Sequence, residues 1–90
     1  MDEIELNERQ AKGARAEELL RNELLQSVFA NLRSEYIRAW SATHFKNSEG
    51  RERLWQAVQI VGKVQDNLKN IAINGRLATK DLSRITSLKR

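Results

Sequence analysis

The chain has 90 residues, a net charge of +4, no cysteine and no proline. A single domain of this size buries only about 60–65% of the surface its unfolded form exposes, so its own core is marginal. Without cysteine, neither a disulfide nor a Cys/His zinc site can reinforce it; helix packing, within the chain or against other copies, has to do so.

In chain order, the opening residues MDEIELNE are acidic, unlike the basic-then-apolar start of a secretory signal. A first helix is expected within residues 2–21, where Ala16, Leu19 and Leu20 share a face. The apolar phase changes at Asn22, a good N-cap, which predicts a kink or a restart there. A second helix over about 23–43 carries Leu25, Phe29, Leu32, Tyr36, Ala39 and Thr43 in steps of three and four. A third, over about 49–74, carries Leu54, Ala57, Val61, Val64, Leu68 and Ile71 in the same rhythm, a heptad seam. The seam reaches Gly75, Ala78, Leu82 and Ile85 without slipping. Asn74-Gly75 is nevertheless a possible left-handed helix stop, and a break or bend is expected there, with 75–90 a short helix or tail. The connection at 43–48 is too short for anything but antiparallel neighbours. The fold expected is therefore all-α: one small domain built on an antiparallel helical hairpin (about 23–43 and 49–74), with an N-terminal helix and a C-terminal segment. Apolar runs never exceed three residues, against roughly 20 for a membrane span, so a cytosolic protein without a membrane partner is expected.

The corner, YIRAWSATHFKNSEGRERLWQ, concentrates both tryptophans, the tyrosine, one phenylalanine and the single histidine. Trp40 falls about one turn before the loop and Trp55 about two turns after it, so an antiparallel pair brings the indoles together or against Phe45. Such rings usually lock a hairpin end by hydrophobic area and ring geometry. The alternative is an aromatic platform for a nucleobase, flanked by Lys46, Arg51 and Arg53; packing is the favoured reading. A lone His44, with no cysteine and no second histidine, is expected to face solvent in the loop. Asn47 or Ser48 is expected to cap the third helix.

Catalytic signatures are missing. There is no phosphate loop, and the glycines at 13, 50, 62 and 75 make no dinucleotide fingerprint. Carboxylates gather in an acidic head that a solvated helix surface explains. No enzymatic role, cofactor, metal or small-molecule substrate is expected. Charge is unevenly spread: residues 1–24 hold seven acids against four bases, and residues 75–90 hold five bases against Asp81. Head and tail can attract each other between copies, or the tail, through Arg76, Lys80, Arg84, Lys89 and Arg90, can grip nucleic acid without sequence preference.

Ala16-Glu17-Glu18-Leu19-Leu20, Phe29, Tyr36, Ala39-Trp40, Arg51-Glu52-Arg53-Leu54-Trp55, Leu68 and Gly75-Arg76-Leu77-Ala78 resemble a pattern in short helical proteins of tailed phages and prophages. The resemblance covers roughly residues 16–78. Its most specific part is Tyr-x-x-Ala-Trp with Arg-Glu-x-Leu-Trp. Those proteins are encoded among head and packaging genes, which implies a host-cytoplasmic or virion-incorporated assembly or packaging accessory. The expectation is a non-enzymatic protein acting by helix association, as a homo-oligomer or on a larger phage protein. Its interface is expected at Leu19, Leu20, Val64, Leu68, Ile71, Leu82 and Ile85. Within the chain, Leu54, Val61, Val64, Leu68 and Ile71 are expected to pack on Leu25, Phe29, Leu32 and Tyr36. A nucleic-acid-binding accessory using the basic segment is the alternative.

Overall fold

A computed structural model describes residues 2–88. Three helices account for nearly all of them: α1 (Glu3–Arg21), α2 (Glu23–Ala42) and α3 (Ser48–Leu88), with no strand among the described residues. Each helix begins on a side-chain cap that satisfies an otherwise unpaired backbone N–H. Asp2 Oδ1 accepts from the Glu5 amide at 2.8 Å, and Asn22 Oδ1 accepts from the Leu25 amide at 2.9 Å. Asn22 itself is extended (φ −70°, ψ 116°), so the helix stops at Arg21 and restarts where the apolar phase changes. Of the two expected caps for α3, Asn47 is the one used: its Oδ1 accepts from the Gly50 amide at 3.0 Å.

The chain divides into two compact units, Asn22–Asp66 and Met1–Arg21 with Asn67–Arg90, so α3 contributes its first part to one and its remainder to the other. In the unit of Asn22–Asp66, α2 offers Leu25, Phe29, Leu32, Tyr36 and Trp40, and α3 offers Leu54, Val58, Val61 and Gln65. Only Val61 is buried; the others are half-exposed, and α2 has no buried residue. Trp40 lies beside Trp55, with ring centroids 6.1 Å apart, and Arg33 Nη2 donates to Gln65 Oε1 at 2.6 Å. Late α2 thus meets early α3 and mid α2 meets later α3, the order that antiparallel helices give.

The other unit is built from smaller residues. Leu6, Gly13 and Ala16 of α1 are buried, as are Ala72, Gly75 and Ala78 of α3. Gly13 and Gly75 touch backbone to backbone: a Cβ added to Gly75 would lie 2.6 Å from Gly13 Cα and 3.0 Å from the Arg9 carbonyl oxygen. Contacts here are antiparallel too, Gln10 Nε2 donating to Thr79 Oγ1 at 3.0 Å and Arg76 Nε to Glu17 Oε1 at 2.5 Å.

Two expectations are corrected by this packing. No stop or left-handed residue occurs at Gly75: the helix runs on to Leu88 and no glycine has positive φ. Gly75 lacks a side chain because another backbone occupies that space, which is the other reason a helix keeps a glycine. Second, Val64 and Ile71 are not on the inner seam of α3. Both are exposed, while Gln65 is half-buried and Ala72 buried in their place. Stepping from Val61 to Gln65 and from Leu68 to Ala72 fits the same three-and-four rhythm, and the small or polar residue is the one that lets the neighbouring helix approach.

Candidate helix-association surface

The corner between α2 and α3 is fastened by its own polar groups. Thr43 caps α2, its amide reaching the Ala39 and Trp40 carbonyl oxygens at 3.0 and 3.3 Å and its hydroxyl donating to Ala39 O at 2.7 Å. Arg51 Nη1 donates to the carbonyl oxygens of Trp40 and Thr43 at 3.1 and 3.0 Å. Its guanidinium carbon lies 4.2 Å from the centre of the Trp40 ring, a cation–π contact. One arginine therefore donates to two carbonyls at the end of α2, one of them shared with the Thr43 amide, and holds the indole against the turn.

His44 belongs to the same turn. Its Nδ1 accepts from the Lys46 amide at 3.1 Å, and its ring stacks on Phe45 at 4.6 Å between centroids. The bases expected beside an aromatic platform are engaged locally: Arg51 as above, Arg53 with Glu49 at 2.7 Å, and Lys46 over Phe45 at 5.9 Å. A shallow pocket of 450 Å³ lies between Trp40, Phe45 and Trp55.

The helix flanks differ from one another in chemistry. A residue one position before an inner residue points about 100° to one side of it, and the residue after points about 100° to the other. Antiparallel neighbours are related by a two-fold axis perpendicular to both, so the residues that precede inner positions on the two helices share one flank, and those that follow share the other. Glu17 and Arg76 illustrate the second case: each follows a buried small residue, Ala16 and Gly75, and the two bond to each other.

In the unit of Asn22–Asp66 the preceding flank holds the exposed aliphatics Leu24, Val28, Ile60 and Val64, which come before Leu25, Phe29, Val61 and Gln65, together with exposed Asn31, Glu35 and Arg53, which come before Leu32, Tyr36 and Leu54. In the other unit, Leu19, Ile71 and Leu77, which come before Leu20, Ala72 and Ala78, are also exposed. Of the residues expected at an interface, Leu19, Val64 and Ile71 are exposed, each one place before an inner residue of its own unit, whereas Leu20, Leu68, Leu82 and Ile85 are half-buried within the chain's own packing. Leu24, Val28 and Ile60 were not among the expected residues. The signal for them was present in the sequence, since each sits one place before a seam residue.

Among the basic residues expected to grip nucleic acid, Arg76 is paired with Glu17, and Arg84 Nη1 lies 3.8 Å from Asp81. Lys80 is exposed. Lys89 and Arg90 lie outside the described residues. The Arg76–Glu17 bond places the attraction between acidic head and basic tail inside one chain. Among the described residues no three His, Asp or Glu side chains gather where they would hold a metal, and no helix is long and apolar enough to cross a membrane. Comparison of the chain with family models, with curated proteins and with solved structures finds no match in any of the three.

Proposed function

We propose that this protein is a non-enzymatic assembly component that works by helix–helix association, with other copies of itself or with a larger protein. One observation carries the reading. The exposed surface is rich in aliphatics: Leu19, Leu24, Val28, Ile60, Val64 and Ile71 are all exposed while the buried core consists of Leu6, Val61 and three alanines. Scattered apolar residues are ordinary on a surface, but aliphatic residues aligned on a helix flank are what helical partners cover.

In this reading the antiparallel α2–α3 hairpin is the rigid element that presents the flank, and the corner built around Trp40 and Arg51 holds it closed. A phage head or packaging setting rests on the resemblance of the Tyr-Ile-Arg-Ala-Trp and Arg-Glu-Arg-Leu-Trp segments. The nucleic-acid alternative has less support, because Arg76 already has a carboxylate partner. Light scattering after size exclusion, together with mass spectrometry of purified particles, tests the proposal. A mass that is a multiple of 10.4 kDa, or incorporation into particles, supports it. A monomer at every concentration that enters no particle overturns it.

A further inference from the structure

We propose that Asn74 is a site of spontaneous deamidation that α1 holds closed, so that the residue reacts when α1 lifts from α3 and the product records the event. The inference stands apart from the association reading and concerns only the unit of Met1–Arg21 with Asn67–Arg90.

Asn74 is the one asparagine of the chain that is followed by glycine. Glycine offers the least hindered backbone nitrogen to the side chain before it, because it has no Cβ and turns freely. In the reaction the Gly75 nitrogen gives up its proton to water and attacks Cγ of Asn74. The N–Cγ bond forms, the Cγ–Nδ2 bond breaks, and departing ammonia leaves a five-membered succinimide ring. Water then opens the ring at either carbonyl to give aspartate or isoaspartate. The balance is one amide and one water to one acid and one ammonia, with no change of oxidation state.

Asn74 is exposed to the water the reaction needs, so it is the neighbouring backbone that stops it. Within α3 the helical ladder pairs the Gly75 amide with the Ile71 carbonyl oxygen, which keeps the nucleophile occupied. Ring closure also requires the peptide plane between Asn74 and Gly75 to turn out of helical geometry. That plane has no room to turn. Gly75 is buried, and a Cβ built on Gly13 would lie 2.6 Å from Gly75 Cα and 3.2 Å from its nitrogen. Gly13 belongs to α1, so the block is lifted when α1 lifts, and a glycine in an uncovered helix interior is a weak point of that helix. The reaction also fixes what it records. Isoaspartate routes the main chain through its side-chain methylene and leaves a carboxylate beside the contact. The two backbones that met at Gly13 and Gly75 then no longer match, and α1 does not return to the same seat.

The test incubates the full chain at mildly alkaline pH and follows the tryptic peptide 70–76 by mass spectrometry, with fragmentation separating Asn74 from Asn70. The same chain in guanidinium gives the unhindered rate. The folded wild type is expected to react about 100-fold more slowly, because only its open population reacts. Gly13→Val sets a side chain against the Gly75 backbone and keeps the Asn-Gly pair, and its rate is expected to rise about tenfold over wild type. Asn74→Gln in that variant is expected to abolish the mass gain. A second manipulation does not depend on loosening the fold. The chain has no cysteine of its own, so Gln10→Cys with Thr79→Cys, bridged by a short bis-maleimide, ties α1 to α3 where the two side chains already bond. The bridged chain is expected to react more slowly than wild type. Chain isolated with isoaspartate in place of Asn74 is expected to melt at a lower temperature by circular dichroism. A folded wild type that reacts as fast as the denatured chain overturns the proposal. So does a wild-type rate in Gly13→Val or in the bridged chain, or an isoaspartate chain with an unchanged midpoint.

Discussion

The two units bury different kinds of residue, mostly glycine and alanine in one and a single valine in the other. Where α1 meets the later part of α3, five of the six buried residues are small, Gly13, Ala16, Ala72, Gly75 and Ala78 beside Leu6, while Leu20, Leu68, Leu82 and Ile85 are half-exposed. Where α2 meets the earlier part of α3, Phe29, Tyr36, Trp40 and Leu54 at inner positions are half-exposed, and Val61 alone is buried. Interaxial distance follows the side chains at the contact. Glycine and alanine let backbones touch and leave no room for solvent. Large side chains hold two helices apart, and with only two helices in the layer their outer edges stay wet. Apolar content and burial therefore run in opposite directions here: the unit richer in large apolar residues has the less protected core.

The sharpest way to break this comparison is at the glycine contact. Gly75→Val puts its Cβ 2.6 Å from the Gly13 backbone, which cannot swing aside as a side chain can. Overpacking of this kind costs about 3 kcal/mol. In a domain this small the melting temperature should fall by roughly 15 °C, read by circular dichroism. Trp40→Ala should cost less, about 2 kcal/mol, because the indole is only half-buried and a smaller void results. Part of that loss is the Arg51 stacking contact, so Arg51→Lys should reproduce a fraction of it. Asn22→Ala removes the cap on α2 and should cost about 1 kcal/mol in the same melts. The smallest effect has the opposite sign. Gly62 has nothing within 4 Å of where its Cβ would sit, so Gly62→Ala should stabilise by about 0.5–1 kcal/mol through helix propensity alone. Glycines of one helix then respond in opposite directions, because one faces another backbone and the other faces space.

The same contrast explains what the sequence revealed. The restart at Asn22 was legible because capping is local: a side chain bonds the amide three residues on. The corner was legible because its aromatics sit within a few residues of the turn. Gly75 was read the wrong way because local chemistry offered two uses for a glycine after asparagine, and the fact that decides, Gly13 on another helix, is remote in sequence. The α3 register failed for a related reason. Apolar character favours Val64 and Ile71, whereas close approach favours Gln65 and Ala72, and only a known neighbour distinguishes them. Leu24, Val28 and Ile60, by contrast, each come one place before a seam residue that the periodicity places correctly, Leu25, Phe29 and Val61, so their exposure is legible in the sequence.

The central claim is that aliphatic surface left over by this packing is covered by another molecule, with the chain itself as the first candidate. Thermal melting followed from one to several hundred micromolar tests it directly, because association that favours the folded form raises the midpoint with concentration. A midpoint climbing by several degrees over that range, with a mass above 10.4 kDa at the upper end, is the expected result. A midpoint that does not move, with a monomeric mass throughout, would contradict it.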